Sequence, residues 1–329
     1  MDIGRSRGWR SSETLCRRLG GVCRRSGGGG LGVDSLNGQR CLVTGAGGFI
    51  GQVLVRKLLA AGAIVHAPGR TELDLDVESS IRRTVRGFAP EKVFHLAAKG
   101  VTGASSLEAL RETNVHGTRR LIAELNLLRH SPTVTLLGSG FEYAAKETPL
   151  KEEDALSPFS DYGISKLEAA AAAREVASGL SVTWVRLFNV YGPGESLGRL
   201  LPHIVSQSRQ GLPVEVTAGE QLRDFTHVDD VAEGIMRLAA RPTASPGWEV
   251  FNLGTGTATR LHAFMSLVVA ALASHGVVSD LRLGARPYRS GEPMVYLPDV
   301  SRLQKAVGWL PAKPLDKGVS DVVSQAILP

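Results

Sequence analysis

Tyr162 and Lys166 stand at the two ends of the run Tyr162-Gly163-Ile164-Ser165-Lys166. Four positions apart on a helix places both side chains on one face. An ammonium held there lowers the pKa of a phenol that otherwise titrates near about 10. Such a phenol can exchange a proton with a sugar or alcohol oxygen at neutral pH. Each residue alone reads as structure, because a tyrosine on a half-buried helix is ordinarily core and a serine at a strand end, such as Ser139, is ordinarily a cap. The reading changes beside a second feature earlier in the chain, Thr44-Gly45-Ala46-Gly47-Gly48-Phe49-Ile50-Gly51. Gly45 would turn the chain tightly, Gly48 would let backbone amides approach a pyrophosphate, and Gly51 would allow close helix packing. Phosphate then sits at the positive end of the following helix. A proton-transfer pair joined to a dinucleotide seat implies hydride chemistry on a carbonyl or alcohol.

The elements that must position these groups alternate between strand and helix from Arg40 onward. Cys41-Leu42-Val43 predicts a short buried strand, 49–61 a helix and 63–67 the next strand. Strands are expected at 93–97, 134–137 and 181–188, with helices over 106–128 and from Tyr162 through the alanine run 169–173. This alternation predicts an α/β fold with a parallel sheet covered on both faces. Beyond Gly192-Pro193-Gly194 the regularity weakens and prolines recur. The expected division is a leader over 1–38, a nucleotide-binding domain over 39–190, and a smaller lobe built mainly from 191–329, with a cleft between the last two.

Composition narrows the class further. The 329 residues are 43% apolar and 21% charged, and suit one large or two modest domains. The sequence contains no apolar run of membrane-spanning length, so no membrane partner is expected. Cys16, Cys23 and Cys41 lack metal-ligand spacing, which argues for a reducing, cytoplasmic setting without a disulfide framework or metal site. The net charge of +6 suggests nucleic acid until it is divided along the chain. Residues 1–38 hold seven arginines against Asp2, Glu13 and Asp34, a surplus of +4 that leaves the body near +2. The body therefore needs no polyanionic partner beyond a phosphorylated small molecule. The leader, rich in arginine, serine and glycine, is expected to be disordered, with residues 1–32 dispensable and the domain proper beginning near Val33.

The motifs now carry a resemblance. TGAGGFIG (44–51), HLAA (95–98), TNVHGT (113–118), Ser139 four residues before Tyr143, YGISK (162–166), RLFNVYGPGE (186–195) and RDFTHVDDVA (223–232) resemble the extended short-chain dehydrogenase/reductase family. Its members mostly act on nucleotide-activated sugars as epimerases, dehydratases or 4-keto reductases. The resemblance implies a doubly wound Rossmann sheet with a smaller substrate lobe. It also implies Tyr162 as acid/base, Lys166 as the residue that lowers its pKa and holds the nicotinamide ribose, and Ser139 as hydrogen-bond partner of the reacting oxygen. Gly45, Gly48, Phe49, Ile50, Gly51, Asp74, Leu75, Leu96, Ala97 and Ala98 fall at cofactor-binding positions, and Asn114 would help order the active-site strands.

Cofactor choice turns on His66-Ala67-Pro68-Gly69-Arg70. An NAD-preferring site tends to place a carboxylate there for the ribose 2′-hydroxyl. None is present, and Arg70 offers a donor fork suited to a 2′-phosphate. NADP(H) is therefore the expected cofactor, with NAD(H) open. The short connection over 70–76 resembles that of 4-keto reductases rather than the longer excursion of epimerases. Phe141 stands where relatives that also epimerise neighbouring carbons place a cysteine. The expected reaction is NADPH-dependent reduction at C4 of a nucleotide-linked 4-keto-6-deoxyhexose; the alternative is an NAD-dependent nucleotide-sugar 4-epimerase, and a cofactor-sensing or interaction module is a more remote one.

The resemblance places nucleotide-sugar contacts at Asn189, Arg223 and Arg289, and guanidinium groups pair well with a diphosphate. The competing reading of both arginines is a surface salt bridge. His95, His203 and His227 share no ligand spacing and are read as noncatalytic. Ala144 replaces a usual glycine, and Lys99-Gly100-Val101-Thr102-Gly103 is a shortened loop. Both departures bear on the sugar pocket. By the same resemblance a homodimer is expected, through helices starting near Ser106 and Gly163.

Overall fold

The computed structural model describes residues 33–100, 105–242 and 246–327. Residues 1–32 of the expected leader and most of the shortened loop at 101–104 lie outside these residues, whereas 33–38 belong to the fold. Asp34–Leu36 form a 3-10 turn, and Leu36 is fully buried with Cys41, Val43 and Leu54, because an apolar side chain there completes that core. The first half alternates as β1 (Arg40–Thr44), α1 (Phe49–Ala60), β2 (Ile64–His66), α2 (Glu78–Phe88) and β3 (Lys92–His95). A longer helical segment follows, with α3 (Leu107–Leu110) passing through a π-helical stretch (Arg111–Gly117) into α4 (Thr118–Asn126). Then come β4 (Thr133–Ser139), α5 (Asp161–Val176) and β5 (Ser181–Leu187).

The chain next builds β6 (Asn189–Tyr191), α6 (Leu200–Arg209), β7 (Val214–Glu215), β8 (Leu222–Arg223), β9 (Phe225–His227) and α7 (Val228–Ala240). It then returns to the main sheet as β10 (Gly247–Leu253). The remainder holds β11 (Thr259–Arg260), α8 (Leu261–Ser274), β12 (Leu281–Arg282), β13 (Val295–Tyr296), α9 (Ser301–Val307) and α10 (Leu315–Ile327).

The main sheet has six strands in the order β10-β5-β4-β3-β1-β2, all pairs parallel. Parallel strands covered on both faces must be apolar on both, which explains their continuous runs. The two-residue side-chain period sorts them. Cys41 and Val43 face one core with Leu54 and Leu58 of α1 and Val231 and Ile235 of α7. Leu42, between them, faces the other core with Ile81 of α2, Leu121 and Leu125 of α4, and Ala169 and Ala173 of α5. The alanines of the run thus have a packing purpose, since small side chains let α5 lie close on its neighbours. A third core, with Ile204, Phe225, Phe264, Met265 and Val323, supports the C-terminal lobe.

Two details depart from the expected elements. The strand expected over 63–67 is trimmed to Ile64–His66, because Pro68 and the turn after it end the pairing with β1. The helix expected over 106–128 is interrupted by the π-helical stretch, where Asn114 bonds backwards to the end of the β3 loop and Gly117 sits over Leu75. Periodicity carries no signal for such a widened turn. Cys41 is fully buried in β1, and burial pushes its thiol up to about 12, an inert state. Among the described residues no helix is long and apolar enough to cross a membrane.

Candidate active site

The glycine turn begins at the C-terminal end of β1. Gly45 has φ of 68° and lies so close to the β3 loop that a Cβ would meet the Ala97 nitrogen at 2.6 Å. A Cβ on Gly51 would meet the Gly45 carbonyl oxygen at 2.2 Å. Only glycine lets α1 start this close to the strand end. Gly48 caps α1 without a side-chain hydrogen bond, which leaves the first amides of the helix to be satisfied by an anion.

A cavity of about 380 Å³ opens above this turn. Gly45, Gly48, Phe49, Ile50, Gly51, Leu96 and Ala98 line one side, and Ser139, Tyr162 and Lys166 line the other. Uncapped amides, glycines without Cβ and an apolar wall fit a dinucleotide. The structure thus brings the glycine turn together with the proposed proton-transfer groups. Ala97 lies behind the turn, and Leu75 is packed into the core beneath Gly117. Neither lines the cavity.

Arg70 does not reach into the cavity either; its side chain is 68% exposed. Its guanidinium lies 3.5 Å from Asp74 and 3.3 Å from Asp76, and Glu72 meets His66 at 3.0 Å. The strand end that lacks an acid in sequence thus acquires carboxylates from the following loop. Asn114 is buried away from the cavity. Its Oδ1 accepts from the Lys99 amide at 2.8 Å, and its Nδ2 donates to the Lys99 carbonyl and to Ser165 Oγ at 3.0 Å. It ties the β3 loop to the helix that carries Tyr162.

Ser139 ends β4 and caps the short turn Gly140–Glu142. Its Oγ accepts from the Phe141 amide at 3.2 Å, while its own amide donates to Glu142 Oε1 at 2.7 Å. The serine is therefore a cap and a cavity residue at once. Glu142 is fully buried and receives Arg186 Nε at 2.8 Å and the Trp184 indole N–H at 3.1 Å.

Ser160 caps α5, so Tyr162 falls in its first turn and Lys166 one turn later, with Asp161 as an exposed helix-start residue. The charges on Tyr162 differ from the sequence expectation. Burial raises its phenol above the ordinary value, Glu142 adds to the rise, and the cation that opposes it is Arg199 rather than Lys166. The Lys166 ammonium instead lies 5.6 Å over the Trp184 ring, in the field of Glu142. Burial brings Lys166 down to about 8. Helical spacing gave a shared face, but the ammonium lies over Trp184 and does not enter among the charges that act on the phenol.

His95 bonds Thr44 Oγ1 at 2.7 Å and Thr118 Oγ1 at 3.0 Å; burial and then the charge of Lys166 bring it down to about 3. His227 caps α7 by accepting from the Asp229 amide. Both are structural. His203, by contrast, faces the adjoining cleft.

That cleft, of about 490 Å³, lies between the sheet and the C-terminal lobe and takes in Asn189, Arg223 and Arg289. Arg223 is engaged by Glu292 at 3.0 Å and lies 5.8 Å over the Tyr296 ring. It combines an ion pair with a place on the cleft wall. Phe141 stacks on Tyr296 at 5.1 Å and meets Phe159 edge-on at 5.5 Å. Asn189 Oδ1, Glu195 Oε2 and Gln221 Oε1 are buried, lack a well-formed hydrogen bond, and belong to residues of this one cleft. Buried polar atoms are normally satisfied, so their clustering marks a place built for a polar ligand.

Sequence reading missed Glu142, Glu195, Arg199, Gln221 and Tyr296. Glu195 ends the GPGE run, where spacing says nothing of a role, and Tyr296 reaches Ser139 from a strand late in the chain.

Residues 41–254 match the model of the NAD dependent epimerase/dehydratase family. A dTDP-glucose 4,6-dehydratase from Streptomyces griseus is 30% identical over 315 residues, covering 86% of this chain and 92% of that protein. A dTDP-4-dehydro-6-deoxy-D-allose reductase from a Streptomyces species is 30% identical over 325 residues, covering 88% and 96%. The structure of RMD from Pseudomonas aeruginosa complexed with NADPH superposes with a TM-score of 0.76 at 25% identity, covering 87% of this chain and 98% of that one.

Proposed function

Because the chain belongs to the NAD-dependent epimerase/dehydratase family of nucleotide-sugar enzymes, we propose that it reduces a nucleotide-linked 4-keto-6-deoxyhexose at C4 with NADPH. The observation that carries this reading is the aromatic wall of Phe141, Tyr296 and Phe159 beside Ser139. An apolar wall at the sugar end of the cleft suits the methyl group of a deoxysugar better than a hydroxymethyl or carboxylate, which it would leave unsatisfied. The likeness to a 4-keto sugar reductase supports the same direction.

Bound NADPH supplies the hydride. Tyr162 donates a proton to the developing alkoxide, and its raised pKa keeps it protonated for that task. Ser139 hydrogen-bonds the same oxygen. Lys166 holds positive charge near the ribose side of the pocket. Asn189, Arg223 and Arg289 anchor the diphosphate and nucleotide, and the active unit is a homodimer through α3–α4 and α5.

The NAD-dependent 4-epimerase is a second reading, favoured by Asp74 and Asp76 around Arg70, since they occupy its donors and offer acceptors to a ribose. One paired assay separates the two. With dTDP- and UDP-linked 4-keto-6-deoxyhexoses, NADPH is expected to be oxidised stoichiometrically, at higher kcat/KM than NADH, and Tyr162→Phe to bind NADPH without turnover. Interconversion of nucleotide hexoses without added reductant would replace the reductase reading with the epimerase one. Turnover retained in Tyr162→Phe would remove the tyrosine from its role.

A further inference from the structure

Two charged residues, Glu195 and Arg199, line both the dinucleotide cavity and the substrate cleft. They therefore stand where the sugar must meet the reacting end of the cofactor. Arg199 caps α6, and Glu195 lies one turn before it in the loop that follows β6. The Glu195 side chain is only 6% exposed. Its Oε1 accepts from Arg199 Nε at 3.1 Å, and its Oε2 is buried with no hydrogen-bond partner.

A carboxylate so buried ordinarily has both oxygens satisfied, because an unpaired charged acceptor carries a large desolvation cost. Here one oxygen is held by a guanidinium and the other is left for a donor that the described residues do not supply. The other unsatisfied atoms, on Asn189 and Gln221, belong to residues of the substrate cleft, Asn189 lying like Glu195 where the cleft meets the dinucleotide cavity. The missing donor belongs to the ligand of that cleft.

We propose that Glu195 is a sugar-recognition residue, its Oε2 accepting a hydrogen bond from a hydroxyl of the hexose while Arg199 fixes its orientation. This rests on a nucleotide-linked sugar occupying the cleft, but not on the direction of hydride transfer. Burial brings the Glu195 carboxyl up to about 7, against the charge of Arg199. A hydroxyl donor favours the ionised acceptor, so sugar affinity should rise with pH through that region. His203, further along α6, faces the same cleft and is the other group to control for.

The test is calorimetric binding to the full chain, without turnover, using UDP-glucose and dTDP-glucose against UDP and dTDP. Affinity for the sugar-bearing ligands is expected to fall roughly ten- to a hundredfold in Glu195→Ala and by about tenfold in Glu195→Gln. Affinity for the bare diphosphates should stay within about twofold. Sugar-ligand affinity should increase several-fold from about pH 6 to pH 8 in the wild type and in His203→Asn, and be flat in Glu195→Gln. Equal losses for sugar-bearing and bare nucleotides would overturn the assignment. So would a loss of dinucleotide affinity with sugar affinity intact, which would hand the oxygen to the nicotinamide carboxamide. Failure of the reductase reading leaves these affinities unchanged and so stays distinguishable.

Discussion

Replacing Glu142 with glutamine removes one charge from a fully buried pair while keeping the side chain's shape. Glu142 is 0% and Arg186 5% exposed, with Nε and Oε2 at 2.8 Å. Glu142 also accepts from the Ser139 amide and the Trp184 indole, and Arg186 donates to Tyr143 Oη at 2.8 Å and to the Glu152 carbonyl at 3.1 Å. The amide of glutamine would turn a donor toward at least one of these donors, and the Arg186 charge would lose its counterion in a site without solvent. Breaking a buried pair by removing one partner costs about 3–5 kcal/mol. That is a large share of a net stability of about 5–15 kcal/mol. At roughly 2 °C per kcal/mol for a chain of this size, Glu142→Gln should unfold about 6–10 °C below wild type. Scanning calorimetry measures the shift. The double variant Glu142→Gln/Arg186→Met separates charge from shape, because removing both partners avoids the orphaned cation. It should be more stable than Glu142→Gln alone by about 2 kcal/mol or more. A shift below about 2 °C in the single variant, or a double variant whose losses simply add, would refute the account of this pair as a buried, mutually dependent unit.

Two further outcomes follow from the site's surroundings. His95 stays neutral in the fold down to about 3, so below its ordinary value near 6.5 the unfolded chain binds the extra proton and stability falls with acid. Denaturant titrations should show His95→Asn losing about 2–3 kcal/mol less than wild type between pH 6.5 and 4.5, and parallel losses would sink this. A Cβ on Gly51 meets backbone at 2.2 Å whereas one on Gly47 meets nothing within 4 Å. NADPH fluorescence titration should therefore find at least tenfold weaker binding in Gly51→Ala and no change in Gly47→Ala; equal affinities would remove the close-packing argument.

What could be read from the sequence is what local geometry determines. Tyr162 and Lys166 share a helix face and Gly45 to Gly51 form one turn, so spacing alone placed them, and both line one cavity. The alternating pattern likewise predicted the strands of the main sheet up to β5. The π-helical stretch at Arg111–Gly117 was not legible, because it depends on Asn114 bonding to Lys99 and Ser165 in other elements. Arg70 was read from the absence of an acid at the strand end, yet Asp74 and Asp76 fold back onto it from the next loop. In each case the missing information is a contact between segments far apart in the fold or bent back on themselves.

The same division governs the chemistry. Sequence spacing implied that Lys166 lowers the pKa of Tyr162, whereas the surroundings give Tyr162 a net rise, with Glu142 raising it and Arg199 opposing. Glu142 reaches the site as N3 partner of the Ser139 cap, and Arg199 as the cap of α6. A capping box at Ser139 and an ion pair between Arg199 and Glu195 at the start of α6 therefore place the charges that act on the reacting phenol. A phenol held protonated is suited to donating a proton, which is the task of reduction, while an enzyme that begins by oxidising its substrate needs that proton removed first. The field on Tyr162, set by burial, Glu142 and Arg199, thus agrees with the proposed reduction through residues other than those of the aromatic wall.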